Sequence, residues 1–421
     1  MALLDNIKIS KKLPATALLL TLLSAAAISG IGGLFAFHNA VDAEKQSLSA
    51  LLDMRKVQLI EYFDGVEEDL SIIANSTIAA EAMWAFETGY TEQTQASLRK
   101  LYVDDNANPT GQKHKLDAAG DGSAYSATHA LYHPWLRKYL EERGYYDIFL
   151  ISRNGDIVYS VFKEPDFATN LSTGQWKDTD LAAVFRSLDG KPAGAVSFTD
   201  FRPYGPSADA PAMFIGTPIA RSDGTLLGTL VFQLPTTLTN HVMQGKEGMG
   251  ETGETYIVGA DLLMRSDSRF SSESSILKTK VEGSTIQKAL DGESGVASIR
   301  DYRGVPVISV YRPFDIHGTR WALIGEMDTQ EIAAPVLRST MEVLAYTAGI
   351  VMVIAFLNLL MSRSLSRPIS SLEQTMRRLA SGDNSVEIPF TNRRDEIGDM
   401  AGAVAVFKEN ALRMEAMKAE Q

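Results

Sequence analysis

Apolar positions along this chain follow three different rhythms. Two blocks are unbroken. Pro14 to Phe37, PATALLLTLLSAAAISGIGGLFAF, is 24 residues without a charge. As a helix rising about 1.5 Å per residue it outspans a bilayer core of about 30 Å. Val343 to Met361, VLAYTAGIVMVIAFLNLLM, is 19 uncharged residues, just long enough to span. The first block exceeds the about 7–15 residues of a signal-peptide core, and no A-x-A site follows it, so it is predicted to stay as an anchor. Lys8, Lys11 and Lys12 precede the first block, and Arg363 and Arg367 follow the second. Positive flanks stay cytoplasmic. Both termini are therefore expected inside and residues 38–342 outside, in the periplasm of a two-membrane envelope.

Between the blocks the rhythm is first helical. Leu48, Leu52, Leu59, Phe63, Val66, Leu70 and Ile73 share one helix face, predicting mostly helix over 38–105, continuing from the membrane. Residues 103–127, rich in Asp, Asn, Gly and Ser, read as a loop. The period then drops to two. YYDIFLISRNGDIVYSVF (145–162) is a hairpin around Arg153-Asn154-Gly155. A helix at 179–189 follows, then strands at 193–202, 211–220 and 226–234, the last two joined through Ser222-Asp223-Gly224. The same order returns: a strand pair at 255–267, a helix at 281–292 ending at Gly292, and strands at 295–303, 305–312 and 320–327. The repeat is legible in residues. Gly194 to Arg202 (GAVSFTDFR) matches Gly295 to Arg303 (GVASIRDYR) at four of nine positions, 101 residues apart. This predicts an α+β fold of two tandem modules, each a small antiparallel sheet with helices on it.

Composition narrows the function. The 45% apolar and 22% charged residues are globular averages that hide the two blocks. A net charge of −12 argues against a nucleic-acid surface. With no cysteine, disulfides, thiol catalysis and cysteine metal sites are excluded. His129 and His133 stand four apart, as a metal pair on one helix face would, but no third ligand accompanies them and no metal is expected. Gly248-Met-Gly250-Glu-Thr-Gly253 fits G-x-G-x-x-G but precedes a strand instead of following one, so a turn is expected, not a nucleotide loop. No nucleophile elbow, zinc-protease or Walker motif occurs, so neither catalytic residues nor cofactors are predicted.

A binding site is a better prospect. His133-Pro134-Trp135-Leu136-Arg137 reads as the opening of a short helix, with Pro134 at its first position. Arg137 pairing with Glu141 and Trp135 in the core would be the ordinary outcome. The functional reading has Trp135, Arg137, Tyr146, Asp147 and Tyr159 lining a pocket: a guanidinium fork for a carboxylate, an acid for an amine, rings for walls. Asp200 and Tyr204 are weaker candidates, since Asp200 has a counterpart, Asp301, in the repeat.

The long entry helix, the YYDIFLI…GDIVYSV hairpin, and the stretch from GETGETYIVG (250–259) to DYRGVPVISVYRPF (301–314) together resemble a double Cache sensor, the PAS-like extracytoplasmic domain of bacterial receptors. The resemblance covers most of residues 38–335. It implies a long helix and membrane-distal module over 38–240, a membrane-proximal module over 241–340, and a small-molecule ligand in the distal one. The amino-acid-sensing subgroup carries an Arg shortly before a Trp-Tyr pair. Here Trp135 precedes Arg137 and no such pair exists, so an organic acid is as open as an amino-acid-like metabolite.

After the spans at 14–37 and 343–362, residues 363–416 carry two amphipathic stripes: Ile369, Leu372, Met376, Leu379, and Met400, Val404, Phe407, Ala411, Met414. Gly382 ends the first helix, Val386 and Ile388 are apolar pegs in the linker, and Asp395-Glu396-Ile397-Gly398 opens the second. Each helix is too short to hold alone. The segment closely resembles a HAMP domain, with Pro368, Glu396 and Gly398 as its relay residues. It implies a parallel homodimeric four-helix bundle. Residues 1–13 form a cytoplasmic N-terminus and 417–421 begin an exit helix. The expected function is a transmembrane chemotaxis receptor in the inner (plasma) membrane, not an enzyme, with a chemotaxis coupling protein and kinase as partners only if an output domain exists. The sensor portion of a histidine kinase or nucleotide cyclase, or a truncated subunit acting by dimerisation, remains open.

Overall fold

The computed structural model describes residues 9–91, 94–221 and 223–419. Lys8 and Ser222, used above for orientation and for a turn, lie outside them, as do the side chain of Lys11, the rest of segment 1–8, and residues 420–421 of the exit helix. The chain forms two compact units, residues 42–332 and residues 1–41 with 333–421.

Two helices, α1 (Ile9–Ala74) and α8 (Thr329–Met361), are long and apolar enough to cross a membrane. Leu20, Ile28 and Phe35 of α1 and Val353 and Phe356 of α8 face outward, an arrangement that hydrocarbon accommodates and water does not.

In the 42–332 unit, all seven apolar positions from Leu48 to Ile73 are buried along one face of α1. Phe63 meets Phe198, Phe314 and Trp321, each ring centroid 6.0 Å away. Those rings belong to two different sheets, so one helix staples both. Ser76 then caps α2 (Thr77–Thr91), its hydroxyl accepting from the Ala79 N–H. Thr94 does the same for α3 (Gln95–Arg99), which runs into a π-helical turn at Lys100–Asp104.

The next helix differs from expectation. It is α4 (Ala124–Arg143), twenty residues long, and Pro134 lies inside it rather than at its start. The N-cap is Ser123, whose side chain accepts from Ser126 N–H at 3.1 Å. The Asp-Gly-Ser run read as loop therefore ends in a cap, the alternative use of the same short polar side chains. Gly144, in the left-handed region at φ 74°, closes the helix.

The first sheet has the order β2-β1-β5-β4-β3, from β1 (Asp147–Ser152), β2 (Ile157–Ser160), β3 (Ser197–Tyr204), β4 (Ala210–Ala220) and β5 (Leu226–Leu234), all antiparallel. Helix α5 (Asp180–Leu188), capped by Thr179, packs Leu181, Val184, Phe185 and Leu188 against Phe149, Ile151, Phe214 and Val231. After α6 (Thr236–Met243) the second sheet follows in the order β6-β9-β8-β7. Its strands are β6 (Glu254–Val258), β7 (Gly295–Arg300), β8 (Pro306–Ile316) and β9 (Thr319–Asp328). Helix α7 (Ser284–Leu290) covers it with Ile286 and Ala289. The repeated nonapeptides thus supply β3 and β7, the edge strands of the two sheets. The strand pair expected at 255–267 is half strand: beyond β6 only isolated bridges, Val258 to Met264 and Leu263 to Lys280, continue it. Asp261 turns the chain there, accepting from Leu263 N–H. The glycines at 248–253 form turns that lead into β6.

In the other unit, a π-helical turn (Ser362–Ser366) links α8 to α9 (Arg367–Ala380), with Pro368 in its first turn. Gly382, at φ 91°, ends α9 by the expected route: its N–H reaches Leu379 O and Asp383 N–H reaches Arg378 O. The linker returns with Val386 buried and Ile388 packed on Leu372, Ile397 and Ala401. Helix α10 (Glu396–Ala419) starts where Asp395 accepts from Gly398 N–H at 3.1 Å while bound to Arg393. Glu396 is exposed in the first turn, where the helix dipole favours an acid. A Cβ at Gly398 would sit 2.1 Å from the carbonyl oxygen of Arg393. Gly398→Ala is accordingly expected to cost about 1–3 kcal/mol locally, read as increased protease cleavage between α9 and α10 with the thermal transition of the sensing unit unchanged.

Candidate functional site

A polar cluster is buried beside the first sheet, and it gathers some of the expected residues. Helix spacing places Tyr125, His129 and His133 on one face of α4, pointing inward. His133 Nε2 lies 2.6 Å from the carbonyl of His114, so that nitrogen carries the proton, and its Nδ1 accepts from the Tyr159 hydroxyl at 2.7 Å. His129 Nδ1 lies 2.7 Å from the carbonyl of Asp117, so it donates, and its Nε2 lone pair is left without a partner. The two rings stack 4.2 Å apart. Burial and the nearby Lys163 lower both pKa values, that of His133 to about 2, so both are neutral. Among the described residues no three His, Cys, Asp or Glu side chains are arranged to hold a metal.

Lys163 joins the two halves of the cluster. It is fully enclosed, its ammonium 4.3 Å from the ring centre of Tyr159 and 5.1 Å from that of Phe167. Among the described residues, its ammonium donates to the Ser160 carbonyl. Its backbone is left-handed, at φ 59°, a conformation a non-glycine residue adopts at some cost. Burial lowers its pKa to about 7 despite the favourable charge of Asp147. Asp147 opens β1. Its Oδ1 takes three backbone N–H groups, from Ile148, Val161 and Phe162, and its Oδ2 takes none. Beyond it, Asp166 accepts from the Tyr204 hydroxyl at 2.6 Å with its other oxygen bare, and Glu164 accepts from Tyr146 and Ser207. Burial raises all three carboxyls, Asp166 to about 7. Gln233, opposite Asp147 on β5, has an unpartnered Oε1.

Fully buried polar groups normally find partners, and each one left open costs about 1–3 kcal/mol. His129 Nε2, Asp147 Oδ2, Asp166 Oδ1 and Gln233 Oε1 concentrated near one enclosed ammonium define a place built for hydrogen bonds that the chain itself does not complete. It offers acceptors to N–H or O–H groups and a cation to an anion.

Four expected residues, Tyr146, Asp147, Tyr159 and Tyr204, belong to this cluster. Arg137 stands at its rim, held by Asp117 Oδ1 at 2.8 Å and the His114 carbonyl instead of Glu141. Trp135 lies on the outer face of α4, 40% exposed and stacked on Tyr139, because the inward face belongs to His129 and His133 two residues earlier. Asp200 is elsewhere altogether. It accepts from Arg265 Nε and Nη2 and from Trp321 Nε1, at 2.8–3.0 Å, tying the first sheet to the second. Its repeat counterpart Asp301 pairs with Arg303 and caps a turn through Arg303 and Val305 N–H. Lys163 and the His pair were not foreseen as binding groups. The available signal was Lys163-Glu164-Pro165-Asp166, a charged run directly after an apolar strand. A separate open groove of 590 Å³ lies at the α1–α2 break, lined by Trp84, Glu81 and Arg221, and includes none of these residues.

A fold of this kind, a long helix serving two sheets with a HAMP-like pair beyond the second apolar helix, is that of a sensory receptor. The chain belongs to the Cache-domain family, whose model matches residues 39–336, and a HAMP domain matches residues 360–412. It is 24% identical over 363 residues to a probable chemoreceptor, y4sI, of Sinorhizobium fredii, covering 84% of this chain and 42% of that one. It is 32% identical over 75 residues to the chemoreceptor McpA of Caulobacter vibrioides, covering 18% and 11% respectively. The chain thus spans less than half the length of the curated relatives it matches. Among solved structures, the ligand-binding domain of the Pseudomonas aeruginosa amino-acid chemoreceptor PctC in complex with GABA aligns over 68% of this chain and 99% of its own, at 14% identity and a TM-score of 0.38. The sensory domain of Campylobacter jejuni chemoreceptor Tlp3 aligns over 71% and 98%, at 10% identity and 0.41.

The Asp200 junction yields a direct expectation. Only 3% of the Arg265 side chain is exposed, and among the described residues Asp261 is its other anionic partner. Asp200→Ala would strand that guanidinium and the Trp321 N–H, costing about 3 kcal/mol. Asp200→Asn, which keeps an acceptor for Trp321, should cost about half as much. Denaturant unfolding of the full chain in lipid nanodiscs measures both; equal losses would contradict this assignment.

Proposed function

We propose that this chain is the sensing and relay portion of a homodimeric bacterial chemoreceptor, with its small-molecule ligand bound at the Lys163 cluster. The observation that carries the ligand site is the set of enclosed, unpartnered acceptors around one enclosed ammonium. A ligand bearing an anionic group and one or more N–H or O–H donors satisfies both, which fits an organic acid or an amino-acid-like metabolite. Trp135 takes no part in this reading, and Arg137 serves the rim.

The two sheets, in which β1-β5-β4-β3 and β6-β9-β8-β7 run in the same order with a matching nonapeptide at the same edge, support a pair of tandem PAS-like modules, the ligand in the membrane-distal one. The apolar helices and the Arg363 and Arg367 flank support an inner-membrane receptor with both termini cytoplasmic and the sensor periplasmic. The seam residues Met376, Leu379, Val404, Phe407 and Ala411 line an apolar groove of 230 Å³ between α9 and α10. With Phe407 and Met414 largely exposed, this is the surface that a second α9–α10 pair would bury in a parallel four-helix bundle. Pro368 and Gly398 fix where its helices begin. A coupling protein and kinase enter only through an output domain.

The test is a thermal-shift screen of the full chain in nanodiscs against carboxylates and amino acids. A ligand at about 100 times its Kd stabilises by about 2.7 kcal/mol. The expected hit is lost in Lys163→Met and in Asp166→Asn and retained in Glu326→Gln. A hit that survives both of the first two substitutions overturns the assignment.

A further inference from the structure

The second sheet repeats the geometry of the first site with different chemistry. Asp147, the first residue of β1, stands opposite Gln233 of β5. Glu254, the first residue of β6, stands opposite Glu326 of β9. Both glutamates are buried and share the face that α7 covers. Directly opposed residues on antiparallel strands have Cβ atoms about 5 Å apart, where two like charges repel. Placing two carboxylates there without a cation between them is costly.

The side-chain hydrogen-bond partners of the two carboxyls are hydroxyls, and Arg303 acts on Glu254 only through space. Glu254 accepts from Tyr302 at 2.7 Å and from Ser268 at 3.1 Å. Glu326 Oε2 accepts from Tyr256 at 3.0 Å. The Tyr256 and Tyr302 rings meet edge to face at 5.7 Å, which packs the two hydroxyl donors side by side. Glu326 Oε1 has no hydrogen-bond partner although it is enclosed. Ser309 stands opposite Glu326 from β8, fully buried, and its hydroxyl can donate to that carboxyl when it is charged or accept from it when it is protonated. The other charges near the pair are accounted for. Asp301 and Asp328 both hold Arg303, whose guanidinium is turned onto the Phe270 ring, and Arg269 binds the backbone carbonyls of Gly250 and Gly253.

We infer that Glu254 and Glu326 form a proton-binding site in the second module, distinct from the ligand site in the first. A proton on Glu326 Oε1 gives the Ser309 oxygen a donor and removes the repulsion across β6 and β9. Burial, against the hydroxyls of Ser309 and Tyr256 and with Asp301 and Glu254 adding to it, raises Glu326 to about 7, and burial raises Glu254 against Tyr302, Ser268 and Arg303, so occupancy changes near neutral pH. The site is placed to matter. Strand β9 passes from Glu326 into α8 at Thr329. Glu331, in the first turn of α8, accepts from Glu251 N–H at 2.9 Å and Thr252 N–H at 2.8 Å, just ahead of Glu254. Both strands that carry the glutamates therefore lead within a few residues to one clamp at the head of α8. Losing the proton weakens the β6–β9 pairing directly beside that clamp. The inference does not depend on what binds at Lys163.

The sign follows from linkage. A carboxyl whose pKa is higher folded than unfolded contributes stability at low pH and loses it as pH rises through the folded value. Full chain in nanodiscs should therefore show a Tm that falls by several degrees more in wild type than in Glu326→Gln between about pH 5 and about pH 8. Two carboxyl infrared bands should titrate near neutrality: one should vanish in Asp166→Asn and the other in Glu326→Gln, the latter persisting in Asp166→Asn. The chain has no cysteine, so a pair introduced at Gly33 and Thr340, which approach each other between α1 and α8, reports on α8. Its crosslinking rate should change with pH in wild type and not in Glu326→Gln. If Glu326→Gln fails to fold, the infrared titration in an Asp166→Asn background, with and without Glu254→Gln, decides: no carboxyl band titrating near neutrality there, or one unaffected by Glu254→Gln, overturns the inference. Identical pH dependence of Tm in wild type and folded Glu326→Gln overturns it as well.

Discussion

Desolvation of carboxyls at the start of each sheet is the constraint from which the chemistry of this protein follows. An isolated carboxylate taken out of water is unaffordable unless something answers its charge. Both sheets bury an acid at the first residue of their first strand, Asp147 and Glu254, where the next strand holds a polar residue directly opposite. The two answers differ. At Asp147 the chain brings three backbone N–H groups and an ammonium. At Glu254 it brings hydroxyls, and a second acid opposite.

The mechanical link is covalent and apolar. Helix α1 commits one stripe to both sheets, with Phe63 at the junction of Phe198 and Trp321, and Asp200 crosses the same junction with charge. A change in either sheet is thus felt by shared side chains, not transmitted through a mobile linker. At the far end β9 becomes α8 with no residue between them, and a carboxylate clamp forms at Glu331. Bistable packing at such a point is what a small shift needs to become a signal.

Periodicity made the fold legible, and tertiary partners made parts of the site illegible. The seven-position stripe of α1, the Asn154-Gly155 turn with Gly155 at φ 88°, and the Gly382 helix end each follow from local rules that the tertiary structure does not override. The start of α4 was missed because Ser123 sits in a run whose composition serves caps and loops alike. Asp200 looked like a site residue because its partner, Arg265, is 65 positions away and carries no local signal. Lys163 was passed over because lysine is rarely enclosed. Its burial is decided by Tyr102, Tyr159 and Phe167, which only the fold brings around it.

The contrast between Gln233 and Glu326 separates the two sites. They occupy the same place, opposite the first acid of their sheet. An amide has a fixed donor and acceptor at any pH, so the first sheet presents a constant hydrogen-bonding face to whatever enters, and only Lys163 and the acids set its charge. A carboxyl in that place changes from acceptor to donor when it takes a proton. Buried, and with a like charge across the strand, it takes one at a pH well above its ordinary value. One atom's difference, nitrogen for oxygen, is enough to make one module suited to recognising a molecule and the other to sensing how readily protons are given up around it.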